Sequence, residues 1–225
     1  MMLVIPQPWS VMPEQLNEQP QDLAQRLARL DLRVDDLLTS VRAGVAARRT
    51  ATSNHPRAFG GWLDYGERIA TLREILTLRG WTKREPNGMC LVVHPDQQFA
   101  IMTALGTAGT GTGAPVTTRR PRGETTEKAV RVNGQLELDL NLGRSPQVLK
   151  ARANPPAMST WVLLVHEDEN EVRSELSLAR HMNDEGYIDD WAERIPLPAI
   201  RINDLVDDAG DDEPDSGVEF DVPER

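Results

Sequence analysis

"CLVVHPDQQFAIMTAL" (90–105) decides the fold. Its two short apolar runs are closed by turn residues, and such runs read as strands rather than as pieces of a helix. A similar unit recurs as "WVLLVHEDENEVRSELSL" (161–178). Each runs apolar strand, His, one residue, Asp, polar turn, strand. One sheet built from both hairpins, with helices on one face, is the economical arrangement. The expected fold is therefore α+β, with an antiparallel, mostly meandering sheet of five to six strands and two or three helices.

Working outward, "PNG" (86–88) separates "WTKRE" from "MCLVVH", and Asn-Gly between such runs signals a hairpin. "TWVLLVH" (160–166) is wholly apolar and belongs at the centre of a sheet. "EVRSELSL" (171–178) alternates, with Val172, Leu176 and Leu178 inward and Glu171, Arg173 and Glu175 outward, a half-buried strand. "GYIDDWAERIPL" (186–197) reads as the next strand. "QLELDLNL" (135–142) places Leu136, Leu138, Leu140 and Leu142 on one side and also reads as a strand. Its first residues resemble the sliding-clamp-binding peptide of bacterial replication proteins, but Asp139 stands where that peptide carries an aromatic, and a plain strand is the expectation.

Helices are expected at 21–47, at 62–79 and, as a short piece, at Thr125–Val132. In the first, Leu23, Leu27, Leu30, Val34, Leu37 and Val41 recur in steps of four and three. Such a heptad seam serves a helix packed on its own domain, or a parallel homodimer through 21–47. The chain then divides into 1–61, the heptad helix and a basic loop; 62–202, an α+β core with a mobile Gly/Thr/Arg loop at 106–123; and 203–225, an acidic tail. That tail holds ten acids and one base, so nearly all of the net charge of −10 sits there and the body is close to neutral. With no periodicity, it is expected to be disordered.

The single cysteine, Cys90, permits no internal disulfide, which suits a reducing cytoplasm. It sits at the start of an apolar strand and is expected in the core. No apolar run approaches the ~20 residues of a membrane helix, so no membrane partner is expected. The 22 arginines against three lysines fit a GC-rich, bacterial coding sequence.

Three kinds of chemistry compete for the remaining signals. The glycines at 106, 109, 111 and 113 follow a strand, but no Gly-Lys-Ser/Thr follows them and Ala114-Pro115 stands where a helix should open, so a nucleotide cradle is not expected. Arginines cluster in two stretches, Arg48, Arg49 and Arg57 in one and Arg119, Arg120 and Arg122 in the other. Together they form a candidate patch for phosphates of DNA or RNA, although neither stretch interleaves aromatics for base stacking. His94-x-Asp96 and His166-x-Asp168 end equivalent strands and would suit a divalent metal if a symmetric sheet brought them together; both fall in expected turns, where these residues are ordinary. No cofactor and no metal are expected.

With no diagnostic catalytic motif, the leading expectation is a non-enzymatic, bacterial, cytoplasmic accessory or regulatory protein. Its partner would be another protein, reached through the seam residues or through Phe220 in the tail. A setting on a mobile element or in phage–host conflict (defence or anti-defence) goes with that reading. The alternatives are a nucleic-acid-associated regulator whose arginine loops are autoinhibited by the tail, and a metal-dependent hydrolase built on the His-x-Asp turns.

Overall fold

The computed structural model describes residues 20–141 and 158–203. The acidic tail beyond 203, Phe220 with it, lies outside these residues.

Three helices come first: α1 (Pro20–Ala28), α2 (Val34–Arg49) and α3 (Phe59–Thr77). The stretch 21–47 is thus two helices rather than the one expected. The break has a local cause. Asp31 takes φ 49°, its N–H bonds Ala28 O (3.1 Å), and the Leu32 N–H reaches back to Leu27 O (3.0 Å), a left-handed helix stop. Asp36 then restarts the helix by accepting the Arg33 N–H (3.0 Å). Leu23, Leu27, Leu37 and Val41 are buried in the chain's own core, with Leu30 and Val34 packed at its margin. The four-three spacing is what a core-facing helix needs, and here it is spent inside the molecule.

The sheet comprises β1 (Thr82–Arg84), β2 (Leu91–Val93), β3 (Phe99–Leu105), β4 (Ser159–Glu167), β5 (Glu171–Met182), β6 (Ile188–Pro196) and β7 (Ile200–Arg201). Its order is β1-β2-β3-β4-β5-β6, with β7 added to the start of β5. Both expected meanders are present, and β4 is central. The β1–β2 hairpin is present, but residues 85–90 join its strands: a turn at Pro86–Gly88 takes positive φ at Asn87 and Gly88, 48° and 78°, inside a loop wider than a two-residue Asn-Gly turn.

Two expectations are corrected. The sheet is mixed, because β3 and β4 run parallel from Phe99↔Ser159 to Leu105↔Val165. And residues 135–141 are helical, as part of α4 (Glu124–Asn141), not a strand. Gln, Leu and Glu are good helix formers, and eight residues of alternation do not outweigh that propensity. The connection between β3 and β4 thus carries a helix, as a crossover between parallel strands does, and β4 starts beside the start of β3.

The crossover also covers the second face of the sheet, where a bare face was expected. On β4, Trp161, Leu163 and Val165 meet α1–α3, while Val162 and Leu164 pack with Val116 and Val130 from the crossover. Asn133 fastens α4 to the sheet. Its Nδ2 donates to Thr160 O (2.9 Å) and Ala179 O (2.8 Å), and its Oδ1 accepts the Thr160 N–H (2.8 Å).

Candidate anion-binding recess

The segment read from sequence as a mobile loop, 106–123, has a set of tertiary anchors on that second face. Glu175, placed outward by its alternation, is instead fully buried beneath it. Its carboxylate accepts the Gly111 N–H (2.8 Å) and the Arg194 guanidinium (2.7 Å), and Ser177 donates to it (2.7 Å). Arg194 also holds three loop carbonyls, Gly109 O (3.1 Å), Thr112 O (3.0 Å) and Ala114 O (2.8 Å). The glycines let this loop lie flat on a carboxylate. Of its amides, that of Gly111 is spent on this carboxylate, while those of Thr107, Thr110 and Thr112 bond carbonyls of the segment itself.

Beyond those anchors the segment turns along the end of β3. Thr118 exchanges hydrogen bonds with Ile188, Arg119 N–H reaches Leu105 O (2.8 Å), and Arg122 N–H reaches Gly186 O (2.7 Å). This brings Arg120 and Arg122 against the first half of α3. Between them lies a cavity of about 280 Å³ lined by Ala58, Gly61, Trp62, Tyr65, Arg68, Ala104, Leu105, Arg120 and Arg122. Three of its lining residues are arginines and none is an acid.

Arg68 is the residue that sequence reading passed over. It is 1% exposed, and its Nε and Nη1 have no hydrogen-bond partner among the described residues. Among the described residues its one close counter-charge is Asp64, one turn earlier on α3, with Asp64 Oδ1 2.9 Å from Nη2. That contact is an ion pair without hydrogen-bond alignment, since Asp64 Oδ1 is itself unpartnered. Gly44 of α2 permits this burial: a Cβ there would lie 2.5 Å from Asp64 Oδ1. The Arg122 Nε is likewise buried without a partner.

The electrostatics follow from this burial. Loss of water pulls the Arg68 guanidinium below its usual pKa, against the opposing pull of Asp64, with Arg122 and Arg48 adding like charge. Burial pulls Arg122 down as well, and Arg120 adds to it. Desolvation pushes Asp64 above the usual carboxylate range despite Arg68 and Arg48. Buried cations with unused donors and little counter-charge leave positive charge behind the cavity.

A second cavity, of about 240 Å³, shares Tyr65 and Arg122 with the first and extends past Cys90, Met102 and Thr103 to Gly123, Thr125 and Thr126 at the start of α4. Burial pushes the Tyr65 phenol up to about 12, helped by its hydrogen bond to Cys90. Cys90 itself is half-buried at the core's margin.

Of the six arginines singled out in sequence, Arg120 and Arg122 line the recess. Arg48 lies near enough to act on Arg68 and Asp64, while pairing with Glu167 (3.2 Å). Arg49, Arg57 and Arg119 are exposed and line neither cavity. The aromatics that the basic stretches lacked in sequence come from α3: Trp62 is 64% and Tyr65 37% exposed. The His-x-Asp pairs do not meet. His94 bonds across to Phe99 at one end of β3, while His166 follows Val165 beside Leu105 at the other, roughly 20 Å along seven residues. His94 stacks on Phe99, 4.8 Å between centroids, with Trp81 edge-on. Among the described residues no group of three or more His, Cys, Asp or Glu is placed to hold a metal. No helix there is long and apolar enough to cross a membrane.

Comparison with known protein families, with curated proteins and with solved structures gives no match. What the recess does is read from its own chemistry.

Proposed function

We propose that this chain is a non-catalytic regulatory protein that binds the phosphate backbone of nucleic acid through the recess between α3 and residues 120–122. One observation carries the reading: Arg68 is buried with two donor nitrogens unused, in a cavity lined by Arg120 and Arg122 and by no acid. The buried, poorly balanced charge of Arg68 favours an anion over the cavity, and Arg120 and Arg122 in its lining offer the donors that a phosphate needs. Of the sequence alternatives, this one gains most from the fold, since the heptad seam that would have carried a protein partner is turned into the core.

Binding is measured as a function of salt, with wild type beside the Arg120→Ala/Arg122→Gln variant. The wild type should show an affinity that falls linearly with log salt, and the variant a slope shallower by about one to two units. A chain lacking 203–225, freed of ten acids, should bind more tightly at low salt. An unchanged slope in the variant, or no binding by the truncated chain at low salt, overturns the proposal.

A further inference from the structure

The phosphate reading leaves Trp62 unexplained. It stands at the end of the first turn of α3, 64% exposed and outside the packed core. It is one of four large hydrophobic side chains left open among the described residues, and Tyr65, one turn along the same helix face, is another. Both line the cavity that holds Arg68, Arg120 and Arg122. Together Trp62 and Tyr65 leave aromatic surface open at the cavity, and an open ring face is what a base needs for stacking. Positive charge beside an aromatic platform is the arrangement that binds single strands, whose bases are free to leave a helix and lie on a ring. Paired bases in a duplex cannot present a face to Trp62 without unstacking.

Resting on the phosphate-binding reading, we infer that the ligand is single-stranded: one nucleotide seats its phosphate on Arg120 and Arg122, above the buried charge of Arg68, while its base lies on Trp62. Stacking of this kind is tolerant of base identity, so the recess selects strandedness rather than sequence. The neighbouring cavity beyond Arg122 and Tyr65 gives the strand a direction in which to continue. It carries Thr103, 2% exposed with an unpartnered hydroxyl, and the first turn of α4.

Four probes separate the possibilities when titrated onto the full-length protein at fixed low salt: a labelled oligothymidine, its abasic counterpart of equal length, the corresponding duplex, and inorganic polyphosphate. Oligothymidine should bind best. Removing the bases, or pairing them, should each cost about tenfold. Trp62→Ala, at an exposed helical position that alanine suits, should reduce oligothymidine to the abasic affinity and leave polyphosphate unchanged. Trp62→Phe should recover part of the loss. If polyphosphate and duplex match oligothymidine and Trp62→Ala changes nothing, the single-strand inference fails while the phosphate reading stands. If none of the four binds, both fail.

Discussion

Replacing Gly109 by alanine tests how the crossover loop is held. A Cβ at this position would lie 2.0 Å from Pro115 O and 2.8 Å from the Pro115 carbonyl carbon. Carbon and oxygen normally stay about 3.3 Å apart, so the loop must open by roughly 1 Å. The obstacle is backbone, and no side-chain rotation relieves it. Opening pulls Gly109 O, Thr112 O and Ala114 O away from Arg194, which bonds all three while it neutralises the buried Glu175. A hydrogen bond to a charged group contributes about 1.5–3 kcal/mol, so losing one or two costs about 2–4 kcal/mol. For a chain of this size that is a fall of about 5–15 °C in Tm. Gly113→Ala is the control, because nothing lies within 4 Å of its added Cβ, and it should change stability by less than about 0.5 kcal/mol. Urea unfolding of the pair decides the matter. Equal stability of the two variants would refute the anchored loop.

Three further outcomes follow from the same structure. Asp64→Asn removes the close counter-charge of Arg68 and should lower stability by up to about 3–5 kcal/mol, while added phosphate raises its Tm more than that of wild type; equal shifts would disconnect Arg68 from anion binding. Asn133→Ala orphans three buried backbone groups and should cost about 3–5 kcal/mol by urea unfolding; a loss under 1 kcal/mol would mean the α4 clamp is dispensable. Tyr65 supplies a pH dependence: the unfolded phenol loses its proton near 10 and the folded one near 12, so the folded state binds the extra proton between them. Stability should therefore fall as pH rises through that window, and Tyr65→Phe should flatten the fall; an unchanged slope in the variant would place the effect elsewhere.

The strands were legible because their signals are local. The turn at Asn87-Gly88 and the apolar runs at 91–93, 99–105 and 160–166 each carry their own periodicity or turn chemistry. The parallel joint between β3 and β4 was hidden because it depends on whether 135–141 is strand or helix, and Leu136 and Leu140 satisfy both periods. Asp31 broke the heptad helix through a left-handed stop that its sequence neighbours do not announce. The recess was half visible: Arg120 and Arg122 stood out as a cluster, and Arg48 as part of another. Arg68 did not, because a charged residue in an amphipathic helix ordinarily faces water, and only the approach of α2 at Gly44 shows that it does not. The openness of Trp62 was not legible either, because exposure is a tertiary property.

The most direct test of the central claim is where nucleic acid touches the chain. Photo-crosslinking of a single-stranded oligonucleotide to the full-length protein, followed by peptide mass spectrometry, maps that contact. The account predicts cross-links within 58–68 and 119–123, with Trp62 the foremost site, and their loss in the Arg120→Ala/Arg122→Gln variant. Cross-links confined to the exposed Arg49 and Arg57, or spread evenly over the surface and unchanged in the variant, would contradict it.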